Sequence, residues 1–173
     1  MDMIEHVRTA SGGDRSFDAF FRAEHHRLAA LATVLCGDRE TGRDVAQEAL
    51  TRTFREWDRV SRLERPGGWT RRVVVNLARD HGRHLAVQSR RLPELANRIA
   101  GDCAADDAPL DAEMWAAVAM LPARQRTAIA LFYIGDRSIS DVAAVMAVHE
   151  GTVKTSLHKA RSHLRRLLSE DTE

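Results

Sequence analysis

Cysteine is scarce: the 173-residue chain has two, Cys36 and Cys103. They lie far apart in different segments, so they suggest neither a disulfide framework nor a Cys-x-x-Cys metal knuckle, and a reducing compartment is the plain reading. Aromatic residues make up 5% of the chain and proline occurs four times, leaving alanine, leucine, valine and arginine to carry the periodic segments. That balance predicts an all-α protein. No segment approaches the roughly 20 apolar residues needed to span a bilayer. The opening MDMIEHVRTASGGDRS lacks the apolar core of a secretion signal. A soluble, cytoplasmic protein is expected.

Enzymatic motifs are missing too. No Gly-rich phosphate loop or nucleophile motif occurs. His25 and His26 are neighbours and so are expected to point in different directions. His81 and His84 have i, i+3 spacing, but no cysteine or carboxylate cluster completes a metal site. The sequence therefore predicts no catalytic residue, no metal and no cofactor.

What is present starts with a globular apolar content of 44% and a net charge of +1. The net charge hides a pattern. Residues 1–92 hold 17 arginines against 13 acids, residues 93–111 one arginine against five acids, and residues 112–173 eight bases against seven acids. Two mildly basic blocks thus flank an acidic connector. The predicted organisation is a flexible tail over 1–15, a helical domain over 16–86, an acidic flexible linker over 87–110 and a second helical domain over 111–173.

The strongest local signal is SISDVAAVMAVHEGTVKTSLHKARSHLRRLL, residues 138–168. Ser138 and Asp141 have capping-box spacing, and Val142, Val145 and Met146 form the apolar side of a short helix. A turn is expected around Ala147 to Glu150, then a helix from about Gly151 to Leu168. Val153, Leu157, Ala160 and Leu164 make its inward stripe. Outside that stripe stand Thr152, Thr155, His158 and Lys159, where a recognition helix touches base edges. Lys154, Arg161, Arg165 and Arg166 flank them and suit phosphate neutralisation. A basic, solvated amphipathic face is the bland alternative; the capped helix and short turn favour DNA binding.

In the first domain, Ser16 can cap a helix bearing Phe17, Phe20, Phe21, Leu28, Leu31 and Leu35 and closed by Gly37. Thr41 and Asp44 have capping-box spacing for a second helix through about Trp57. There Ala46, Leu50, Phe54 and Trp57 should form the core side. Asp44, Gln47 and Glu48 crowd the opposite side, where Arg52 and Arg55 also lie. A loop containing Arg59, Arg62 and Arg65 leads to a third helix from about Trp69 to Arg83. Arg72, Asn76, Arg79 and Arg83 form a stripe opposite Trp69, Val73, Val74 and Leu77. Arginine can neutralise phosphates and stack on exposed bases. Trp57 and Trp69 are expected mainly to pack in the core. Periodicity then fades from Ala86 to Leu110, with a short helix expected near Leu92 to Ile99. A helix carrying Leu110, Met114, Trp115, Val118 and Leu121 follows, then one opening at Pro122 as its first residue and ending at Gly135.

Three runs, GDRETGRDVAQEALTRTFREW, PGGWTRRVVVNLARDHGR and LPARQRTAIALFYIGDRSISDVAAVMAVHEGTVKTSLHKARSHLRRLL, resemble the extracytoplasmic-function (ECF) sigma factors of the sigma-70 family. The resemblance covers about Phe17 to Leu168. It implies a sigma factor that binds core RNA polymerase and directs promoter recognition, DNA melting and transcription initiation. Asp44, Gln47 and Glu48 fall on the pattern that docks onto the clamp of the largest subunit, with Arg52 beside it; the second domain would meet the flap region. Arg72, Asn76, Arg79 and Arg83, with Arg62 and Arg65, fall on the minus-ten surface, and the Trp57–Gly68 loop on the element that captures a flipped base. Thr152, Lys154, Thr155, His158, Lys159 and Arg161 fall on the minus-thirty-five reader. His149 and Glu150 stand where the family often has Ser or Pro. The resemblance also implies an acidic linker passing near the polymerase active site and, often, an anti-sigma factor as inhibitor. With the chain ending soon after Leu168, no further C-terminal regulatory domain is expected.

The alternative is a stand-alone helix-turn-helix regulator whose N-terminal domain senses a ligand or dimerises. It predicts a two-fold site and tight DNA binding without polymerase, and leaves Asp44–Gln47–Glu48 and the arginine stripe without a reason.

Overall fold

The computed structural model describes residues 13–89 and 112–170, and all the regular structure among them is helical. The N-terminal unit contains α1 (Gly13–Cys36), α2 (Arg39–Arg55), the single turn α3 (Trp57–Val60) and α4 (Pro66–Ser89). The C-terminal unit contains α5 (Ala112–Met120), α6 (Ala123–Ile129), a π-helical turn (Ala130–Ile134), α7 (Ile139–Met146) and α8 (Glu150–Glu170).

Boundaries differ from the sequence reading where two capping solutions compete. Helix α1 starts at Gly13, so Ser16 lies inside it rather than capping it. Asp38, not Thr41, caps α2: its backbone is extended and its carboxylate accepts from the Thr41 amide at 2.6 Å. A carboxylate at the positive end of a helix is the stronger cap, and it leaves Thr41 and Asp44 within the helix. Hydrogen bonding from the Thr41 hydroxyl, and then from its amide, holds the Asp38 carboxyl below the usual carboxylate range. Helix α2 stops at Arg55, and the expected loop contains α3. Helix α4 starts three residues before Trp69, with Pro66 at its first position and the Gly68 amide donating to the Arg65 carbonyl. It also runs past Arg83 to Ser89. Pro122 is the cap of α6 rather than its first residue. Leu110, the Trp115 side chain, Cys103 and the short helix expected near Leu92 to Ile99 lie outside the described residues.

Helices α1 and α2 approach closely because Gly42 faces the Thr33 backbone: a β-carbon there would come within 2.5 Å of the Thr33 Cα. Leu28, Leu31 and Val34 of α1 are buried with Val45, Ala46 and Ala49 of α2 and Val74 and Val75 of α4. In the C-terminal unit Val118, Leu121, Ala128, Leu131, Val142, Val153, Leu157 and Ala160 fill the interior. The two sets belong to one continuous apolar cluster, because α4 packs on α7 and α1 packs on α5, α6 and the π-helical turn. Burial of this kind supplies the main favourable free energy of folding.

Candidate nucleic-acid interface

Helix α8 presents an open polar face. Val153 and Ala160 are fully buried and Leu157 nearly so, which turns Thr152, Lys154, Thr155, His158 and Lys159 to solvent. Ser138 Oγ accepts from the Asp141 amide at 3.2 Å and donates to the Asp141 carboxylate at 2.8 Å, so the expected cap of α7 forms. Ala147 closes α7 in the left-handed conformation, φ 55°, and α8 begins at Glu150. An open groove of about 640 Å³ lies between the start of α6 and α8, lined in part by Arg124, Thr152, Thr155 and Lys159. Arg161 stands apart from that group. Its Nε donates to the Tyr133 hydroxyl at 3.0 Å and its guanidinium lies 5.7 Å from the Tyr133 ring centre.

On α4 the stripe emerges as expected: Arg72, Asn76, Arg79 and Arg83 are all exposed, as are Arg62 and Arg65 before it. Their surroundings are not uniform. Arg83 pairs with Asp80 on its own helix. Arg65 pairs with Asp141, and Arg72 Nη2 donates to the Ala144 carbonyl, so two of the six reach across to α7. Trp69 is only half-buried, against the expectation of a core residue, and the Arg59 guanidinium lies 5.4 Å from its ring centre. Trp69, Asn76 and Arg59 line an open groove of about 320 Å³. A half-open indole beside an amide and guanidinium groups suits an unstacked base.

Helix α2 turns Asp44, Gln47, Glu48 and Arg52 outward, and Arg52 Nε donates to Glu48 Oε1 at 2.7 Å. Phe54 is a correction: it was expected in the core and is 52% exposed. At 100° per residue it lies within about 20° of Gln47, off the buried side formed by Ala46, Ala49 and Thr53. Its ring packs on Phe17 at 4.9 Å, and Trp57 packs on Phe17 and Phe20. A further correction concerns His25 and His26, whose rings lie 3.8 Å apart rather than diverging. Among the described residues no group of three or more His, Cys, Asp or Glu is placed to hold a metal.

One charged residue was not anticipated. Arg71 is 1% exposed and its Nη2 donates to Glu24 at 2.5 Å. Gly67 makes room, since a β-carbon there would meet the guanidinium. Burial lowers the Arg71 pKa, and Glu24 opposes that effect. The only sequence signal was its position between Thr70 and Val74 on the inward side of α4. Cys36, at the end of α1, is likewise muted: burial and nearby Asp38 push its thiol up to about 11.

Family models for "Sigma-70 region 2" and "Sigma-70, region 4" match residues 20–87 and 111–164. The chain is 31% identical over 157 residues to the ECF RNA polymerase sigma factor SigM of Mycobacterium tuberculosis, covering 90% of this chain and 79% of SigM. It is 30% identical over 163 residues to the ECF RNA polymerase sigma factor SigE of Mycolicibacterium smegmatis, covering 89% of this chain but 62% of SigE. Two solved structures share the fold. The sigma factor RpoE, in complex with the anti-sigma factor NepR from Bartonella quintana, gives a TM-score of 0.79 at 23% identity over 90% of this chain and 98% of its own. CnrH, in complex with the cytosolic domain of CnrY, gives 0.67 at 22% identity over 94% of each. No helix among the described residues is long and apolar enough to cross a membrane.

Proposed function

The chain belongs to the ECF sigma factors of the sigma-70 family, and on that premise we propose how its exposed surfaces share promoter recognition. It binds core RNA polymerase and directs promoter recognition, strand opening and initiation. The chain acts in the cytoplasm, where its polymerase works, and contributes specificity rather than chemistry. An anti-sigma factor, the regulator the family often uses, is the expected inhibitor.

Asp44, Gln47, Glu48 and Arg52 form the docking surface for the clamp of the largest subunit, and the C-terminal unit meets the flap. Arg62, Arg65, Arg72, Asn76, Arg79 and Arg83 meet the minus-ten element. The groove beside Trp69 and Asn76, rather than the Trp57–Gly68 loop alone, takes an extruded base. Thr152, Lys154, Thr155, His158 and Lys159 read the minus-thirty-five element in its major groove, and Arg161 supports the reader from the side. Helix α5 and α4 bound the acidic linker, proposed to follow the path of nascent RNA.

The observation that carries this reading is that one scaffold exposes an acidic patch on α2, an arginine–asparagine stripe on α4 and a hydroxyl-rich basic helix α8. The stand-alone regulator accounts only for the last. In vitro transcription with purified core polymerase over a promoter library tests the proposal. Initiation at defined promoters only when the protein is added is expected. Tight duplex binding to two-fold sites without polymerase, and no stimulated transcription, would favour the regulator.

A further inference from the structure

The inward side of α4 begins with two polar residues, and each ties the helix to a different neighbour. Thr70 and Thr53 are fully buried, and the Thr53 hydroxyl of α2 donates to the Thr70 hydroxyl at 3.1 Å. Thr53 shares that proton with the Ala49 carbonyl of its own helix at 2.8 Å, and Thr70 donates to the Pro66 carbonyl at 3.3 Å. The next residue, Arg71, reaches Glu24 of α1. Gly67, one turn earlier, leaves space for this second contact. A β-carbon there would come within 2.5 Å of Arg71 Nη1 and 3.3 Å of Glu24 Oε1. Successive residues of α4 thus make one directional contact with α2 and one with α1.

The other buried residues described on α4 are Val74, Val75 and Ala78, all small and apolar. Apolar contact is non-directional, and a core of the right volume loses uniqueness before it loses stability. A helix that slips by one residue moves about 1.5 Å and turns about 100°. Such a slip matters most at the groove beside Trp69, because its walls come from different elements. Arg52 and Arg55 belong to α2, Arg59 to α3, and Trp69 and Asn76 to α4. Thr53 follows Arg52 and Thr70 follows Trp69, so the hydrogen-bonded threonines tie one wall of the groove to the other.

We infer that Thr53–Thr70 and Glu24–Arg71 are positioning contacts, which set the register of α4 against α2 and α1 and so hold the groove at the width an unpaired base needs. The inference rests on the base-capture reading proposed above. It adds to strand opening four residues, none of them on the exposed stripe. A buried ion pair is often no more stabilising than a well-packed apolar pair, whereas fixing register is its best-attested use. Stability and promoter opening should therefore part company when the polar contacts are replaced by apolar ones of similar volume.

The test uses the full chain with core polymerase at a promoter selected from the library above, carrying 2-aminopurine in the minus-ten element to report strand opening. Two double variants are compared with the parent: Thr53→Val with Thr70→Val, and Glu24→Leu with Arg71→Met. Both should unfold near the parent's urea midpoint and bind core polymerase with the parent's affinity. Opening should slow about tenfold in each, less than the roughly hundredfold that a displacement of about 1 Å can cost a preorganised site. Gly67→Ala reaches the groove through the guanidinium. It should slow opening in the parent and add nothing in the Glu24→Leu, Arg71→Met background, a coupling that a general loss of stability would not produce. It also keeps the inference testable if a double variant fails to fold. Opening at the parental rate by either folded double variant overturns the inference, as does core-polymerase binding that falls in step with opening. Asn76→Ala separates this failure from that of the underlying reading. Parental opening by Asn76→Ala means that the groove captures no base, whereas slowed opening by Asn76→Ala beside parental double variants rejects only the positioning role.

Discussion

Helices α4 and α8, both proposed to meet DNA, carry their basic residues on different foundations. Under α8 lie Val153, Leu157 and Ala160, all apolar, and outward Arg161 reaches Tyr133 while Thr152, Lys154, His158 and Lys159 face solvent. Under α4 lies Arg71, a buried guanidinium joined to Glu24, and outward Arg72, with Arg65 just before the helix, reaches α7. The same residue type thus serves as core, tether and proposed DNA contact along one helix. Counting arginines along α4 overstates what is open to a nucleic acid, whereas counting polar residues on α8 does not. On the proposed assignments, recognition in the C-terminal unit is more separable from folding than in the N-terminal unit.

The sharpest way to break this comparison is Glu24→Ala. It leaves Arg71 buried without its partner and should cost about 3 to 5 kcal/mol, measured by urea unfolding. Replacing both partners, Glu24→Leu with Arg71→Met, should recover most of that loss, because a well-packed apolar pair is often as stable as a buried ion pair. A small effect of Glu24→Ala would mean that Arg71 is not a structural residue. Gly42→Ala comes next, at about 1 to 3 kcal/mol, since the new methyl meets Thr33 backbone that cannot swing away.

Thr155→Ala sharpens the other half. Thermal stability should stay within about 0.5 kcal/mol of the parent while preference at the upstream element changes, read by transcription over a promoter library. A change confined to the minus-ten element would reverse the assignment of the two helices. Asp38→Ala should cost about 1 kcal/mol, the usual worth of a helix cap. The folded carboxyl lies below its ordinary value. Its contribution is therefore complete above the usual carboxylate range and is lost as the pH falls through that lowered value, where the unfolded chain binds the proton more readily. The gap between parent and variant in acid unfolding should narrow in that window.

The C-terminal reader was legible in the sequence because its evidence is local. Capping spacing, an i, i+4, i+7 stripe and short polar residues lie within some thirty positions, and the fold obeys them. The N-terminal unit was legible in its faces but less so in its details. Phe54 is expected in the core, yet only the start of α1, through Phe17, is seen against it and it stays half exposed; helical periodicity alone cannot say where a partner helix stops. Thr41 and Asp38 both offer a cap, and only the end of α1 decides between them. Arg71, Arg65 and Arg72 could not be distinguished from solvated arginines, because their partners are 47 to 76 residues away in sequence or lie on another unit.

The turn between α7 and α8 has a consequence for engineering and for evolution. Ala147 holds a backbone conformation, φ 55°, that suits glycine and burdens alanine by about 1 to 2 kcal/mol. Part of that is offset, because alanine orders the unfolded chain more than glycine does. Ala147→Gly should therefore raise the melting temperature slightly without touching a reading residue. It would provide a reserve of tolerance against which variants at Thr152, Thr155 and His158 can be explored, letting promoter choice diversify before the domain loses its fold.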